Sequence, residues 1–267
     1  MPWTIPITRA VSINSILYPL RTSDNESRSM RSNPSRREWI IGVSSFAVGA
    51  AFPAFGKFVA HAAKGPVSGF DKSLRASVVK ISISAPPQGA GSGFCIARGS
   101  GGTSIIATAS HVVDGSRLKE LLAQPGSHTV TSHDGANDPM RPPWCHENWM
   151  DVCAFHSELQ LRPLPLAEEL PKIGSPVIVL GFPGGGDYGI AEGKFLGLEV
   201  DGNCRIKISA NAIPGFSGGP ILNTKGEVIG MTVSVRADGS ASHGVPLHEL
   251  RNLRERMLFL DEAEASS

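Results

Sequence analysis

The chain has 267 residues, of which 41% are hydrophobic and 18% are charged, a composition that suits a globular protein of one or two domains with a sizeable core. Thirty glycines and twenty prolines favour short strands and many turns, and they argue against a helical bundle. The formal net charge of +1 gives no argument for nucleic acid, so no such partner is expected.

Basic residues are concentrated at the N-terminus. Residues 1–62 contain seven Lys or Arg and three Asp or Glu, a net charge of +4. The rest of the chain contains the other 18 basic and 21 acidic residues, a net charge of −3. A basic leader on a slightly acidic body is typical of an exported protein.

The leader also carries the parts of an export signal in their usual order. Arg36-Arg37 precedes a moderately apolar run over 39–56, and Ala60-His61-Ala62 follows as a small-x-small cleavage pattern. The segment resembles a twin-arginine signal, which implies a periplasmic or secreted protein. Residues 1–62 would then be an N-terminal extension with its signal peptide, and 63–267 the mature body. The alternative is an uncleaved run that tethers the protein to a membrane, although this run is short for a span.

From Ser73 onward, short β-rich runs alternate with turn signals. The runs cover 76–84, 91–97, 103–109, 128–135, 150–156, 175–186, 194–200, 204–210, 220–223, 227–235 and 243–247. Their regular spacing predicts an all-β fold, an antiparallel sandwich or barrel. A proline-rich link over 159–174 divides them into two sets, which fits two six-stranded antiparallel β-barrels at about 70–160 and 175–247.

Two segments have helical periodicity, one over 116–124 and one over 246–262. The second segment places apolar residues on one face and Arg or Glu on the other, the pattern of a helix that packs on the body. Its apolar face consists of Leu247, Leu250, Leu253, Met257 and Leu258. A C-terminal α-helix over 247–262 is therefore predicted.

The four cysteines leave their pairing open. Cys95 and Cys153 lie in apolar strand runs, where a buried free thiol is the commoner state. Cys145 and Cys204 flank loops and could pair in an oxidising compartment, but four cysteines allow three full pairings. The Cys and His residues over 145–156 fit no common zinc spacing, so no metal site is expected.

One serine stands among glycines in the segment PGFSGGP at 214–220. A turn with a serine is the ordinary interpretation, and a nucleophile surrounded by backbone N–H groups is the other. A nucleophilic serine needs a base to accept its proton, and the base needs a carboxylate to orient it. His111 follows a strand run in IIATASHVVDG, and Asp151 precedes one in NWMDVCAFH. The order along the chain is therefore His111, Asp151, Ser217.

These segments resemble a known family. TASHVV, MDVCAF and PGFSGGPIL are similar to the three catalytic motifs of trypsin-like serine proteases of the chymotrypsin fold, and most of all to the HtrA-like bacterial branch. GSGFCIA, VIVLGFPGG and GEVIGMTV match in the same order, so the resemblance covers about 76–250. It implies a serine endopeptidase that cleaves polypeptides through an acyl-enzyme, with no cofactor. Because the sequence ends soon after the predicted C-terminal helix, an appended PDZ domain is not expected.

The resemblance also assigns roles to residues. Ser217 would be the nucleophile, His111 the general base, and Asp151 the carboxylate that orients the imidazole. The N–H groups of Gly215 and Ser217 would form the oxyanion hole. Phe216 stands where zymogen-activated members carry an aspartate that pairs with a new α-amino group, so that activation switch is not expected here.

The substrate pocket is predicted less sharply. The resemblance places its base near Asn211 and its wall at Thr232 and Val233. Because Asn211 is neutral, a preference for Arg or Lys is not expected. His243 lies on the strand at the other side of the pocket, either as a barrel-face residue or as a pocket histidine of the kind that glutamyl endopeptidases use. A small or medium apolar side chain before the cleaved bond is the first expectation.

A non-catalytic module that binds extended peptides on the same fold is the alternative function. The ordered set of three chemically matched residues favours the enzyme. The sequence leaves the number of subunits open.

Overall fold

The computed structural model describes residues 71–84, 89–113, 128–145, 150–201, 203–236 and 238–266. Within these ranges the chain forms thirteen strands, three 3-10 turns and two helices, α1 Asp71–Arg75 and α2 Leu247–Ala265. The expected export segment and the expected helix over 116–124 lie outside the described residues.

The first seven strands form one antiparallel sheet. Their bounds are β1 Val78–Ile83, β2 Gly89–Arg98, β3 Ser104–Thr108, β4 His128–Thr131, β5 Asn137–Pro139, β6 Trp144–Cys145 and β7 Cys153–Ser157. The order across the sheet is β5-β4-β1-β2-β3-β7-β6. β2 and β3 pair directly as an antiparallel hairpin across the segment RGSGG.

The remaining six strands close into a barrel in the order β10-β13-β12-β11-β8-β9. Their bounds are β8 Pro176–Gly181, β9 Gly189–Asp201, β10 Asn203–Ile208, β11 Pro220–Leu222, β12 Val228–Val235 and β13 Ser242–Pro246. The link predicted over 159–174 runs between the sheet and the barrel, and it contacts the barrel through a bridge of Leu166 to Val228.

The all-β class and the six-stranded second barrel are confirmed, but the first set differs in detail from the expected six-stranded barrel. It has seven strands, and the pairing of its described strands does not close. The additional edge strands β5 and β6 are three and two residues long. Strands this short carry no alternating pattern, so periodicity does not reveal them.

The core consists of branched aliphatic side chains and a few aromatic rings from both sets of strands. The largest fully buried side chains are Phe94, Phe155, Ile81, Ile96, Ile105, Ile106, Leu180, Ile206, Ile208, Ile221, Leu222 and Ile229. β-branched residues pack well on a pleated sheet, which is why these segments form strands and hold them together.

Helix α2 packs on the body along the predicted face. Its buried apolar residues are Leu247, Leu250, Leu253 and Met257, and Leu258 is partly buried. Near the end of the helix, the carboxylate of Asp261 accepts hydrogen bonds from the N–H of Ser100 at 2.5 Å and from its hydroxyl at 3.0 Å. The helix is thereby tied to the turn between β2 and β3. No helix within the described ranges is long and apolar enough to cross a membrane.

The structure corrects the expectation for the cysteines. Cys145 and Cys153 form a disulfide, because they face each other directly across the β6–β7 pair with Cα atoms 4.1 Å apart. Cys153 is thus not a free thiol, and Cys204 is free rather than the partner of Cys145. Cys95 is free and buried as expected, and its burial raises the pKa of the thiol to about 11.

Candidate active site

The segment Pro214–Pro220 lies where the barrel contacts the sheet. The backbone N–H of Ser92 in β2 donates a hydrogen bond to the carbonyl of Ser217 at 2.8 Å. The next residue, Gly218, packs so closely on the sheet that a Cβ there would lie 2.5 Å from Thr108 Oγ1 and 3.0 Å from the backbone N of Ala109. Ser217 is thereby placed beside the turn that follows β3.

His111 and Asp151 are brought together by the pairing of β3 with β7. Thr108 at the end of β3 pairs with Cys153 at the start of β7, so the chain segments just beyond them leave the sheet side by side. The Asp151 carboxylate contacts His111 twice: Oδ2 lies 2.5 Å from the ring Nδ1, and Oδ1 lies 3.0 Å from the backbone N. These two contacts fix the position and orientation of the imidazole and leave Nε2 on its opposite side.

The carboxylate of Asp151 is held in its charged form. Burial would by itself raise the pKa of this carboxyl, but the hydrogen bonds and charge of His111, with the charge of Arg205, outweigh it and hold the pKa below its usual range. An ionised Asp151 accepts the Nδ1–H of His111, and in a neutral imidazole this hydrogen bond selects the tautomer with a free Nε2 lone pair.

Glycines at two positions let the Ser217 segment follow its path. Gly215 and Gly218 have φ angles of 100° and 82°, in the left-handed region that side chains rarely adopt. A Cβ on Gly215 would lie 2.3 Å from the carbonyl oxygen of Phe182, and one on Gly218 would lie 2.1 Å from that of Ser92. The cluster of glycines around one serine therefore reflects close backbone approach on both sides of Ser217.

Two backbone N–H groups of this segment have no acceptor among the described residues. The Pro214 carbonyl accepts from the N–H of Gly184, and the Phe216 carbonyl accepts from that of Gly219, each at 2.8 Å. In a trans peptide the carbonyl and the following N–H point in opposite directions, so the N–H groups of Gly215 and Ser217 point away from these partners. Neither donates a hydrogen bond to another described residue. Both are free to bind an oxygen of a ligand.

The hydroxyl of Ser217 and Nε2 of His111 are unbonded in this conformation. Within the described part of the chain, neither atom has a hydrogen-bond partner. The structure therefore contains the His111–Asp151 pair and the Ser217 loop in adjacent positions, and the contact between the serine and the histidine is open. Such contacts are often long or poorly aligned before substrate binds.

The predicted pocket residues lie around the same segment. The backbone carbonyl of Thr232 in β12 accepts a hydrogen bond from the N–H of Gly218 at 2.8 Å, and the backbone N–H of Thr232 donates to the carbonyl of Gly219 at 2.9 Å. β12 therefore runs directly beside the Ser217 loop. Thr232 and its neighbour Val233 are both buried. Asn211 is exposed in the segment between β10 and β11.

Ser242 holds the backbone on either side of Asn211, a role that the sequence did not suggest. Its buried hydroxyl donates to the carbonyl of Ala210 at 2.7 Å and accepts from the N–H of Ala212 at 3.1 Å. A serine at the start of a strand is too common to mark such a contact in advance.

His243 is buried in β13 and paired with a carboxylate. Its Nε2 lies 2.8 Å from Oε2 of Glu199 in β9, and Nζ of Lys207 lies 3.4 Å from the same oxygen. The hydrogen bond from His243, with that from Lys207, lowers the pKa of the Glu199 carboxyl. Glu199 is therefore charged at neutral pH, and it is the hydrogen-bond partner of Nε2 of His243.

A family model for the trypsin-like peptidase domain matches residues 91–231, which include His111, Asp151 and Ser217. The chain belongs to the trypsin-like peptidase family. The matched segment runs from within β2 to within β12, and it includes most of the contacts between sheet and barrel described above.

Three similar proteins agree with this family. The putative serine protease HhoB of Synechocystis is 30% identical over 66% of this chain and 42% of its own length. Serine protease Rv3671c of Mycobacterium tuberculosis is 30% identical over 61% and 41%. The Do-like protease HtrA of Lactococcus lactis is 27% identical over 62% and 44%. The matched part of the chain thus spans less than half of each curated relative.

A solved structure shows the same fold. The crystal structure of the Rv3671c protease in its active form covers 76% of this chain and 92% of its own, with a TM-score of 0.56 and 23% identity. At that identity the likeness carries the fold alone.

Proposed function

We propose that this chain is a serine endopeptidase in which Ser217, His111 and Asp151 are the catalytic residues. The observation that carries the proposal is the His111–Asp151 pair, which is joined by two hydrogen bonds. It lies beside a serine loop with two backbone N–H groups that bind no described residue. The membership in the peptidase family supports it independently. The proposed substrates are polypeptides, and no metal or cofactor takes part in the proposed steps.

The proposed reaction follows from the groups in place. His111 Nε2 removes the hydroxyl proton of Ser217 as its Oγ attacks the substrate carbonyl carbon, and the N–H groups of Gly215 and Ser217 bind the oxygen that becomes negative. Asp151 stabilises the imidazolium that forms. His111 then donates the proton to the leaving amine, and water hydrolyses the acyl-enzyme by the same path in reverse.

A fluorophosphonate probe tests the proposal because it reacts with an activated serine hydroxyl. We expect labelling of the wild-type protein on a single peptide that contains Ser217, and none in Ser217→Ala. The Asp151→Asn variant keeps the shape of the pair but favours the wrong imidazole tautomer. We expect it to lower the labelling rate by about 10⁴-fold. Mass spectrometry of the labelled peptide gives the site, and gel fluorescence gives the rate.

Circular dichroism of each variant is the control for folding. A folded wild-type protein that takes up no probe would contradict the enzyme and favour the alternative, a non-catalytic module that binds extended peptides. Equal labelling of Asp151→Asn and wild type would remove Asp151 from the proposed set.

We further propose that Asn211, Thr232 and Val233 line the pocket for the side chain before the cleaved bond, and that this pocket prefers small or medium apolar groups. Asn211 supplies no charge to attract Arg or Lys. An acidic substrate side chain would have to displace the charged carboxylate of Glu199, which already lies 2.8 Å from Nε2 of His243.

A peptide-library cleavage profile checks this preference. We expect cleavage after Ala, Val or Leu at rates at least about tenfold above those after Asp, Glu, Arg or Lys, the ratio that 1.4 kcal/mol of discrimination gives. Dominant cleavage after Glu would instead assign His243 to the pocket.

Export is proposed for residues 1–62, with 63–267 as the mature protease domain. The basic leader with Arg36-Arg37 suggests the route, and the Cys145–Cys153 disulfide is typical of an oxidising compartment. Sequencing the N-terminus of the protein recovered from its native host tests this. A first residue of Ala63 is expected, and an intact 39–56 segment in the membrane fraction would contradict cleavage.

A further inference from the structure

The hydroxyl of Ser92 is buried at the contact between sheet and barrel and bonds to two backbone segments there. It donates to the carbonyl of Gly215 at 2.7 Å and accepts from the N–H of Phe182 at 3.0 Å. The backbone N–H of Ser92 also donates to the carbonyl of Ser217. A single residue of β2 thus contacts the serine loop at two points and the Phe182 segment at a third.

These contacts fix the orientation of the peptides that surround Gly215. Ser92 holds the Gly215 carbonyl directly. The segment that Ser92 anchors through Phe182 continues to Gly184, whose N–H holds the Pro214 carbonyl at 2.8 Å. The Pro214–Gly215 peptide carries the N–H proposed to bind the substrate oxygen, so its direction depends on both contacts.

Gly215 needs such contacts because it has no side chain to restrict its backbone conformation. Glycine reaches left-handed and right-handed conformations at similar cost, so an unheld peptide next to it rotates easily. The neighbouring side chain, Phe216, is buried and apolar and offers no charge with which to anchor the loop. The fully buried Ser92 hydroxyl, which both donates and accepts a hydrogen bond, connects this loop to the sheet instead.

We propose that Ser92 is a positioning residue that keeps the N–H of Gly215 directed into the active site. The inference rests on the proposed function, since it concerns the donor for the oxygen that becomes negative. Ser92 contacts no reacting atom and acts only through the backbone of Gly215 and Phe182. Its loss is expected to slow chemistry and to leave substrate binding nearly unchanged.

Ser104 is a matched control within the same sheet. Its fully buried hydroxyl donates to the carbonyl of Leu159 at 2.6 Å and accepts from the N–H of Leu161 at 3.0 Å. Like the Ser92 hydroxyl, it is fully buried and bonds to one carbonyl and one N–H outside the strands, but these two bonds anchor the link that leaves β7. Ser104→Ala therefore removes a comparable structural contact without touching the serine loop.

The experiment compares wild type, Ser92→Ala and Ser104→Ala in the full chain. The rate of fluorophosphonate labelling of Ser217 and the kcat and KM for fluorescein-labelled casein are measured, with thermal unfolding as the stability control. For Ser92→Ala we expect the labelling rate and kcat to fall at least about tenfold, with KM within about twofold of wild type. This loss is smaller than the one caused by removing an oxyanion donor altogether, because the N–H of Gly215 is still present. Ser104→Ala is expected to keep both rates within about twofold.

Equal rates in Ser92→Ala and Ser104→Ala would overturn the positioning role and leave the proposed function standing, because wild type would still be labelled on Ser217. A fall confined to KM would also overturn it. If wild type itself takes up no probe and cleaves no casein, the proposed function fails, and the inference fails with it. If Ser92→Ala does not fold, Ser92→Cys is measured; its weaker S–H donor predicts at least about a threefold loss, and a wild-type rate would overturn the role.

Discussion

The contact between the seven-stranded sheet and the six-stranded barrel is the constraint on which the rest of this molecule depends. His111 and Asp151 lie on segments next to the sheet, and Ser217 lies on a loop of the barrel, so the three proposed catalytic residues can come together only where the two halves meet. Hydrogen bonds from Ser92 to the carbonyls of Gly215 and Ser217, at 2.7 and 2.8 Å, join the sheet to the serine loop at this contact. A shift of one half against the other would separate the proposed catalytic groups.

Buried serine hydroxyls form hydrogen bonds to irregular backbone segments at three places in this fold. The hydroxyls of Ser92, Ser104 and Ser242 each bond to one carbonyl and one N–H that lie outside the strands. Such segments have backbone groups with no partner in a sheet ladder, and leaving them unbonded in the interior would cost about 1–3 kcal/mol each. A small hydroxyl that both donates and accepts satisfies two of them at once and introduces no charge.

Much of this arrangement could be predicted from the sequence. Short β-rich runs between turn signals located most of the strands, and glycine clustering singled out Ser217 because close backbone approach excludes side chains there. The two-residue strand β6 escaped prediction for lack of any pattern, and with it the pairing of Cys145 with Cys153. That disulfide depends on cross-strand register, which a spacing of eight residues does not reveal. The role of Ser92 was hidden for a related reason, since its partners lie 90 and 123 residues away.

The central claim is that two halves of the chain converge to place a serine, an imidazole and two backbone donors around one reacting carbon. The most direct measurement is a crystal structure of the protein phosphonylated on Ser217. The account predicts a phosphoryl oxygen at about 2.7–3.1 Å from the backbone N atoms of both Gly215 and Ser217, with His111 Nε2 within hydrogen-bond reach of the adduct. A phosphoryl oxygen turned toward solvent, with the Gly215 N–H bonded elsewhere, would contradict it.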